Sequence, residues 1–200
     1  MEPLYFIGRC NLAEGIRRDR YLSQEERMRL LEIAKSSIES RLNKMYIHPP
    51  QFDSGAISEK RGAFVSLHKN GRLRGCIGCV EGMQPLGLTV HEMACAAAFD
   101  DPRFQQLTKE ELKDLEIEIS VLSPLREITD INEIEVGVHG LYVVNGFYSG
   151  LLLPQVAVEC KWDKIIFLEQ TCNKAGLPPS AWKDENTRIY IFTADIFNSR

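Results

Sequence analysis

Six cysteines are the groups in this sequence with the widest chemical range: Cys10, Cys76, Cys79, Cys95, Cys160 and Cys172. An even number can mean a disulfide frame, but that reading needs an oxidising compartment. The start, Met1-Glu2-Pro3-Leu4-Tyr5-Phe6-Ile7-Gly8, has no basic lead and only a short apolar run, so it does not read as a secretory signal. Nothing approaches the ~18 apolar residues of a membrane span. The expectation is a cytoplasmic protein with reduced thiols, and the question becomes which thiol does chemistry.

Three spacings compete for that role. Cys76-Ile77-Gly78-Cys79 is a C-x-x-C pair, the pattern of dithiol redox chemistry. That chemistry wants the pair at a helix N-terminus, where the dipole lowers a thiol pKa; here the pair falls at the end of a strand. The same two cysteines with His91 and Cys95, which lie one helical turn apart on a shared face, approach a Cys-Cys-His-Cys zinc set. In a ββα finger, however, the cysteine knuckle occupies the hairpin turn, and this turn is Asn70-Gly71. The third unit is Leu73-Arg74-Gly75-Cys76-Ile77-Gly78. Glycine inside a strand marks a bulge or a close approach by another group. By the strand period of two, Arg74 shares a face with Cys76, where a guanidinium would favour the thiolate. Cys76 is therefore the candidate nucleophile or ligand-sensing thiol, with Arg74, Gly75 and Gly78 as its binding surround. The alternative is a small buried cysteine beside glycines needed for packing.

The elements that must position these residues are readable in outline. Ser23 with Glu26 forms a capping box, opening a helix to about Asn43 whose apolar positions are Met28, Leu31, Ile38 and Leu42. Residues 62–69 and 72–78 flank Asn70-Gly71, the strongest short hairpin signal. A helix follows from about Gln84 to Phe99, with Leu86, Val90, Met93, Ala94 and Ala97 on one stripe. Thr108 and Glu111 form a second capping box. Residues 115–122 alternate strictly, with Glu116, Glu118 and Ser120 on one face. Residues 141–144 and 147–154 around Asn145-Gly146 predict a second hairpin, 162–175 a helix ended by Gly176, and 188–197 a last strand. Two stretches, 63–104 and 141–182, share the order strand, Asn-Gly, strand, helix; chance recurrence of a common turn is the simpler account. Hairpins outnumber βα alternations, so the expected class is α+β with a mostly antiparallel sheet and packed helices.

Composition supports one ordinary globular chain: 44% apolar and 26% charged over 200 residues. The net charge of −4 argues against a nucleic-acid clamp, whose affinity comes from concentrated positive charge.

The sequence of the hexapeptide, residues 73–78, resembles the signature of the AMMECR-type domain. The likeness continues through Gly62–Leu67, Asp101-Pro102-Arg103-Phe104, Leu115–Leu122, His139-Gly140-Leu141, Gly150–Val156, and Ala175–Pro178 with Trp182. It covers residues 21–197 and leaves 1–20 as an N-terminal extension. The resemblance implies one domain of two lobes, with the hexapeptide lining a cleft between them. Prokaryotic relatives, called protein A of the AmmeMemoRadiSam system, tend to be encoded beside a Memo-type protein and a radical-SAM protein, which makes these the implied partners. Cys79, His91 and Cys95 are not signature positions of the family, which weighs against both zinc and dithiol chemistry. No metal or cofactor is expected.

Set in that frame, Glu116 and His139 are candidate proton carriers, His139 because its ordinary pKa suits a general base. Arg103 can hold an anion or clamp its own turn, and Gln155 can hydrogen-bond a ligand or satisfy backbone groups. The first functional expectation is an enzyme or enzyme-accessory protein of a modification pathway. In it Cys76 is the nucleophile, Arg74 activates it and binds an anion, and Glu116 or His139 moves protons. The second is a non-catalytic module that binds a small anionic ligand or a partner peptide, as a monomer or homodimer. A nucleic-acid modification factor is a weaker third, set against the acidic balance.

Overall fold

In the computed structural model, which describes residues 21–45, 52 and 54–199, Ser23 caps the first helix as its sequence suggests. The Ser23 hydroxyl accepts the Glu26 N–H at 3.2 Å, and the Glu26 carboxylate accepts the Ser23 N–H at 2.9 Å. The extension 1–20, with Cys10, and most of the Pro49-Pro50 loop lie outside the described residues.

The elements are α1 (Gln24–Leu42), β1 (Ala63–Lys69), β2 (Arg72–Cys79), α2 (Leu86–Phe99), β3 (Leu115–Leu122), β4 (Arg126–Ile128), β5 (Gly140–Asn145), β6 (Tyr148–Leu152), α3 (Pro154–Glu159), α4 (Lys164–Lys174), β7 (Arg188–Phe192) and β8 (Ala194–Asn198). A 3-10 turn, Lys109–Asp114, precedes β3 and carries the Thr108–Glu111 capping box. The fold is α+β, with two four-stranded sheets ordered β2-β1-β3-β8 and β4-β7-β5-β6. The registered pairs are all antiparallel. The chain divides into two compact units, one running to Leu122 and resuming at Asp195, the other Ser123–Ala194.

In the first unit, Ala63, Val65 and Leu67 of β1 and Ile117, Ile119 and Val121 of β3 form one core with Leu30, Ala34 and Ile38 of α1 and Val90, Ala94 and Ala97 of α2. The small residues of α2 let α1 pack closely. A buried ion pair, Arg27 to Asp195 at 2.8 Å, ties the start of α1 to β8. The helix is turned from the expected stripe. Leu30, Ile33, Ala34, Ser37 and Ile38 are buried, Leu31 is only partly covered, and Met28 is 54% exposed. A 3.6-residue period admits both stripes, and packing against α2 selects the one with small residues.

The first hairpin turns at Asn70 and Gly71, both at positive φ (52° and 72°), as a type I′ turn requires. Lys69 faces Arg72, and His68 faces Leu73, but Leu67 faces Gly75. Arg74 is therefore the extra residue of a β-bulge. A one-residue shift reverses which face each later side chain takes, so the bulge puts Gly75, Ile77 and Cys79 on the helix side. Cys76 and Gly78 face the other way.

The second unit has its own core, built from Leu141, Val143, Ile189 and Ile191 of the sheet and Phe167, Leu168 and Cys172 of α4. Its hairpin turns one residue later than expected, because Asn145 still pairs with Tyr148. Gly146 takes the positive φ (59°), and Phe147 stands fully exposed at the tip. The sequence stretch read as one last strand is two, β7 and β8, one in each sheet. The short helix α3 begins at Pro154, a residue suited to the first helical position, where a strand was expected to end.

The tightest constraint on the hexapeptide is Gly75. A Cβ there would lie 2.1 Å from the Ala97 carbonyl oxygen, so β2 and α2 meet backbone to backbone. Gly75→Ala is expected to lower stability by roughly 1–3 kcal/mol or more, measured as the midpoint of urea unfolding. An unchanged midpoint would show that α2 yields freely at this contact.

Candidate functional site

The bulge aligns three strands into a polar row. Cys76 on β2 lies opposite Ser66 on β1, and Ser66 lies opposite Glu118 on β3. Ser66 and Glu118 are buried, on the sheet face turned away from α1 and α2. The Ser66 hydroxyl donates to Cys76 Sγ at 3.2 Å. The row above is Gly78, Phe64 and Ser120; the row below is Leu73, His68 and Glu116. A Cβ at Gly78 would strike the Phe64 ring at 2.4 Å. The two glycines of the hexapeptide thus serve opposite faces: Gly75 admits α2, and Gly78 admits the aromatic ring beside the thiol.

β2 is an edge strand, and the Cys76 peptide points both its polar groups outward. The Asp101 carboxylate accepts the Cys76 N–H at 2.9 Å, and Arg103 donates to the Cys76 carbonyl at 3.0 Å. Asp101 and Arg103 grip each other bidentately, at 2.9 and 2.6 Å. The Asp-Pro-Arg turn therefore mimics a partner strand for one residue and fixes the thiol's position. Arg103 is thus a clamp on its turn and on Cys76 together. Because the outward peptide makes Cys76–Ser66 a non-hydrogen-bonded pair, their side chains come close.

Electrostatics at the thiol oppose ionisation. Burial pushes the Cys76 thiol up, and Asp101 and Glu118 add to the rise; the Ser66 hydrogen bond and the Arg103 charge pull the other way without overcoming it. Burial also pushes the Asp101 carboxyl up, but hydrogen bonds from Arg103 and from the backbone of Cys76 and Arg103 outweigh it and hold the group below its usual value.

Arg74 does not activate Cys76. Its guanidinium grips Glu111 of the 3-10 turn with two bonds of 3.0 Å, and Lys69 reaches the same carboxylate at 3.2 Å. Lys69 continues the series Ala63, Val65, Leu67 along β1, the helix side of the sheet. The reason is the bulge, which breaks the period-two relation between Arg74 and Cys76. The guanidinium that acts on the thiol is that of Arg103.

The other expected residues fall as follows. Glu116 is on the face of Cys76 but one row away, opposite His68; the carboxylate in the thiol's own row is Glu118. His139 and Gln155 belong to the second unit. His139 Nδ1 accepts the Glu135 N–H at 3.1 Å and closes a loop. Gln155 Oε1 is buried without a hydrogen-bond partner. The zinc set does not converge. Cys76 and Cys79 take opposite strand faces, while His91 meets the Ser37 hydroxyl at 2.6 Å and Cys95 the Ser37 carbonyl at 3.5 Å. Among the described residues no three His, Cys, Asp or Glu are grouped to hold a metal ion, and no helix is long and apolar enough to cross a membrane. Residue reasoning passed over Ser66, Glu118 and Asp101. Counting from Asn70-Gly71 without the bulge sets Cys76 opposite Val65, and the one available signal for the shift was Gly75 inside a strand.

The AMMECR1 family model matches residues 31–197. A protein of Thermococcus gammatolerans is 45% identical over 179 residues, covering 84% of this chain and 87% of the relative. One of Methanothermobacter thermautotrophicus is 44% identical over 184 residues, with 88% and 96% covered. The crystal structure of the uncharacterized protein PH0010 from Pyrococcus horikoshii matches with a TM-score of 0.79 at 43% identity, covering 86% of this chain and 90% of that one.

The Arg74–Glu111 pair sets an acid limit. Hydrogen bonds from Arg74 hold the Glu111 carboxyl down at about 2, against 4.5 for the free group. Its stabilisation is complete above 4.5 and is lost as the pH falls towards about 2. Glu111→Gln is expected to cost roughly 1.5–3 kcal/mol at neutral pH and to flatten the acid limb of the stability curve. Acid titration followed by circular dichroism reads both effects, and an unaltered acid limb would remove Glu111 as its source.

Proposed function

The chain belongs to the AMMECR1 family, and on that footing we propose that it is a recognition component of a modification pathway. Its ligand site is the sheet face centred on Cys76. The partners in this reading are a Memo-type protein and a radical-SAM protein, carried over from the family resemblance. The observation that supports it is the doubly held cysteine: its peptide is clamped by Asp101 and Arg103 while its thiol, kept neutral by burial, accepts from Ser66. Such a thiol is a fixed, small, weakly polar contact for a ligand. The flanking Phe64, only partly buried, offers an apolar surface beside it.

An enzymatic reading has one observation in its favour. Ser66 and Arg103 both stabilise the anionic form of the thiol, the form that acts as a nucleophile.

Thiolate absorbance in the ultraviolet, taken as wild type minus Cys76→Ser, separates the two. The recognition reading expects a titration midpoint above the ordinary thiol value of about 8.5. It also expects Cys76→Ser to replace the native protein in a cell lacking it, and Cys76→Phe to fail. A midpoint near or below about 7, or loss of function in Cys76→Ser with the fold intact, overturns it in favour of nucleophilic chemistry.

A further inference from the structure

The first unit carries a second feature, on the helix side of its sheet and independent of Cys76. A groove of about 400 Å³ opens between α1, the 3-10 turn and the start of β3. That volume is in the range of small-molecule sites, roughly 300–1,000 Å³. Its floor is apolar: Met28 and Leu31 from α1, Leu112 from the turn, Leu115 and Ile117 from β3. Met28, Leu31 and Lys35 follow one another at helical spacing; Leu31 also packs against the core edge, and Met28 stands beyond it. Met28 is 54% exposed there.

The rim is charged and unbalanced. Lys35 and Lys113 line it against the one carboxylate of Glu32. Lys35 has only a loose contact with Glu39, at 4.0 Å between exposed side chains. The turn that contributes Leu112 and Lys113 also bears Glu111, the single carboxylate shared by Lys69 and Arg74. Lys69 stands directly opposite Leu115 across the β1–β3 pair. Arg74 Nη1 is buried with no hydrogen-bond partner. Among the side chains that line the groove itself, two lysines stand against one carboxylate, over an apolar floor.

We propose that this groove binds a small amphiphile, an apolar body bearing one anionic head such as a carboxylate. The body lies on Met28, Leu31, Leu112 and Leu115, and the head meets Lys35 and Lys113. The volume is that of a small-molecule site.

The test is calorimetric titration of the full chain with decanoate, decanol and decyltrimethylammonium, each below its aggregation limit. Decanoate is expected to bind at least about tenfold more tightly than decanol, and the cation not at all. Lys35→Glu with Lys113→Glu should erase the preference for decanoate, and Met28→Asp, an exposed change, should weaken both decanoate and decanol. Absence of binding, equal affinity for the three probes, or a preference that survives charge reversal overturns the proposal. So does a dimer in sedimentation that Met28→Asp dissociates, which would make a second copy the occupant.

Discussion

The position and charge state of Cys76 depend on how its peptide group is held at the edge of β2. An edge strand presents N–H and C=O groups with no ladder partner, and proteins cover or blunt such edges. Here the cover is two side chains of one tight turn. Asp101 takes the N–H and Arg103 takes the carbonyl, and their mutual ion pair stiffens the pair of contacts. The same arrangement sets the electrostatics. Arg103 brings a positive charge towards the thiol, but Asp101 comes with it as a carboxylate. The clamp therefore positions the sulfur without activating it, and burial decides the outcome in favour of the neutral thiol. An arginine without the carboxylate would have favoured the thiolate more strongly.

The two glycines around Cys76 answer different neighbours, and this explains why the cysteine can sit between a helix and a polar face. Gly75 lets the α2 backbone approach β2, which leaves no room for a side chain there. Gly78 leaves space for the Phe64 ring on the opposite face. Between them only Cys76 and Ile77 carry side chains, one for each side of the sheet. The Arg74 bulge is what assigns them. Without it Cys76 would point into the helical core, and Ser66 and Glu118 would have no thiol beside them.

Much of the fold was legible in the sequence because it rests on local signals. Ser23 with Glu26, Thr108 with Glu111, Asn70-Gly71 and Gly176 act within a few residues of themselves, and each does what its chemistry dictates. The alternation of Leu115–Leu122 likewise gives β3 with Glu116, Glu118 and Ser120 on one face. What was not legible depends on neighbours distant in the chain. The choice between the two stripes of α1 is made by α2. The Gly146 turn is displaced by one residue because Asn145 stays in the ladder. The division of residues 188–198 between two sheets has no mark in their composition. At the site, the period of two placed Arg74 beside Cys76, and one extra residue in β2 undid it. Cysteine identity pointed to Cys76, but its row partners could be found only from the register.

The bulge also joins the two chemical faces of the first unit. Arg74 is the residue that shifts the register, so the side on which Cys76 emerges depends on Arg74 being accommodated as an extra residue. Its guanidinium is anchored to Glu111, and Glu111 is flanked by Leu112 and Lys113 of the groove. The 3-10 turn that carries all three has no fully buried residue, so its position rests on the Thr108 cap, the packing of Leu112 and this ion pair. Displacement of the turn must stretch or break the Arg74–Glu111 contact, and relaxation of the bulge must do the same. A single ion pair with two hydrogen bonds therefore stands between the groove and the strand that presents the thiol. The sheet that separates the two faces is bridged at the one point where its own ladder is irregular.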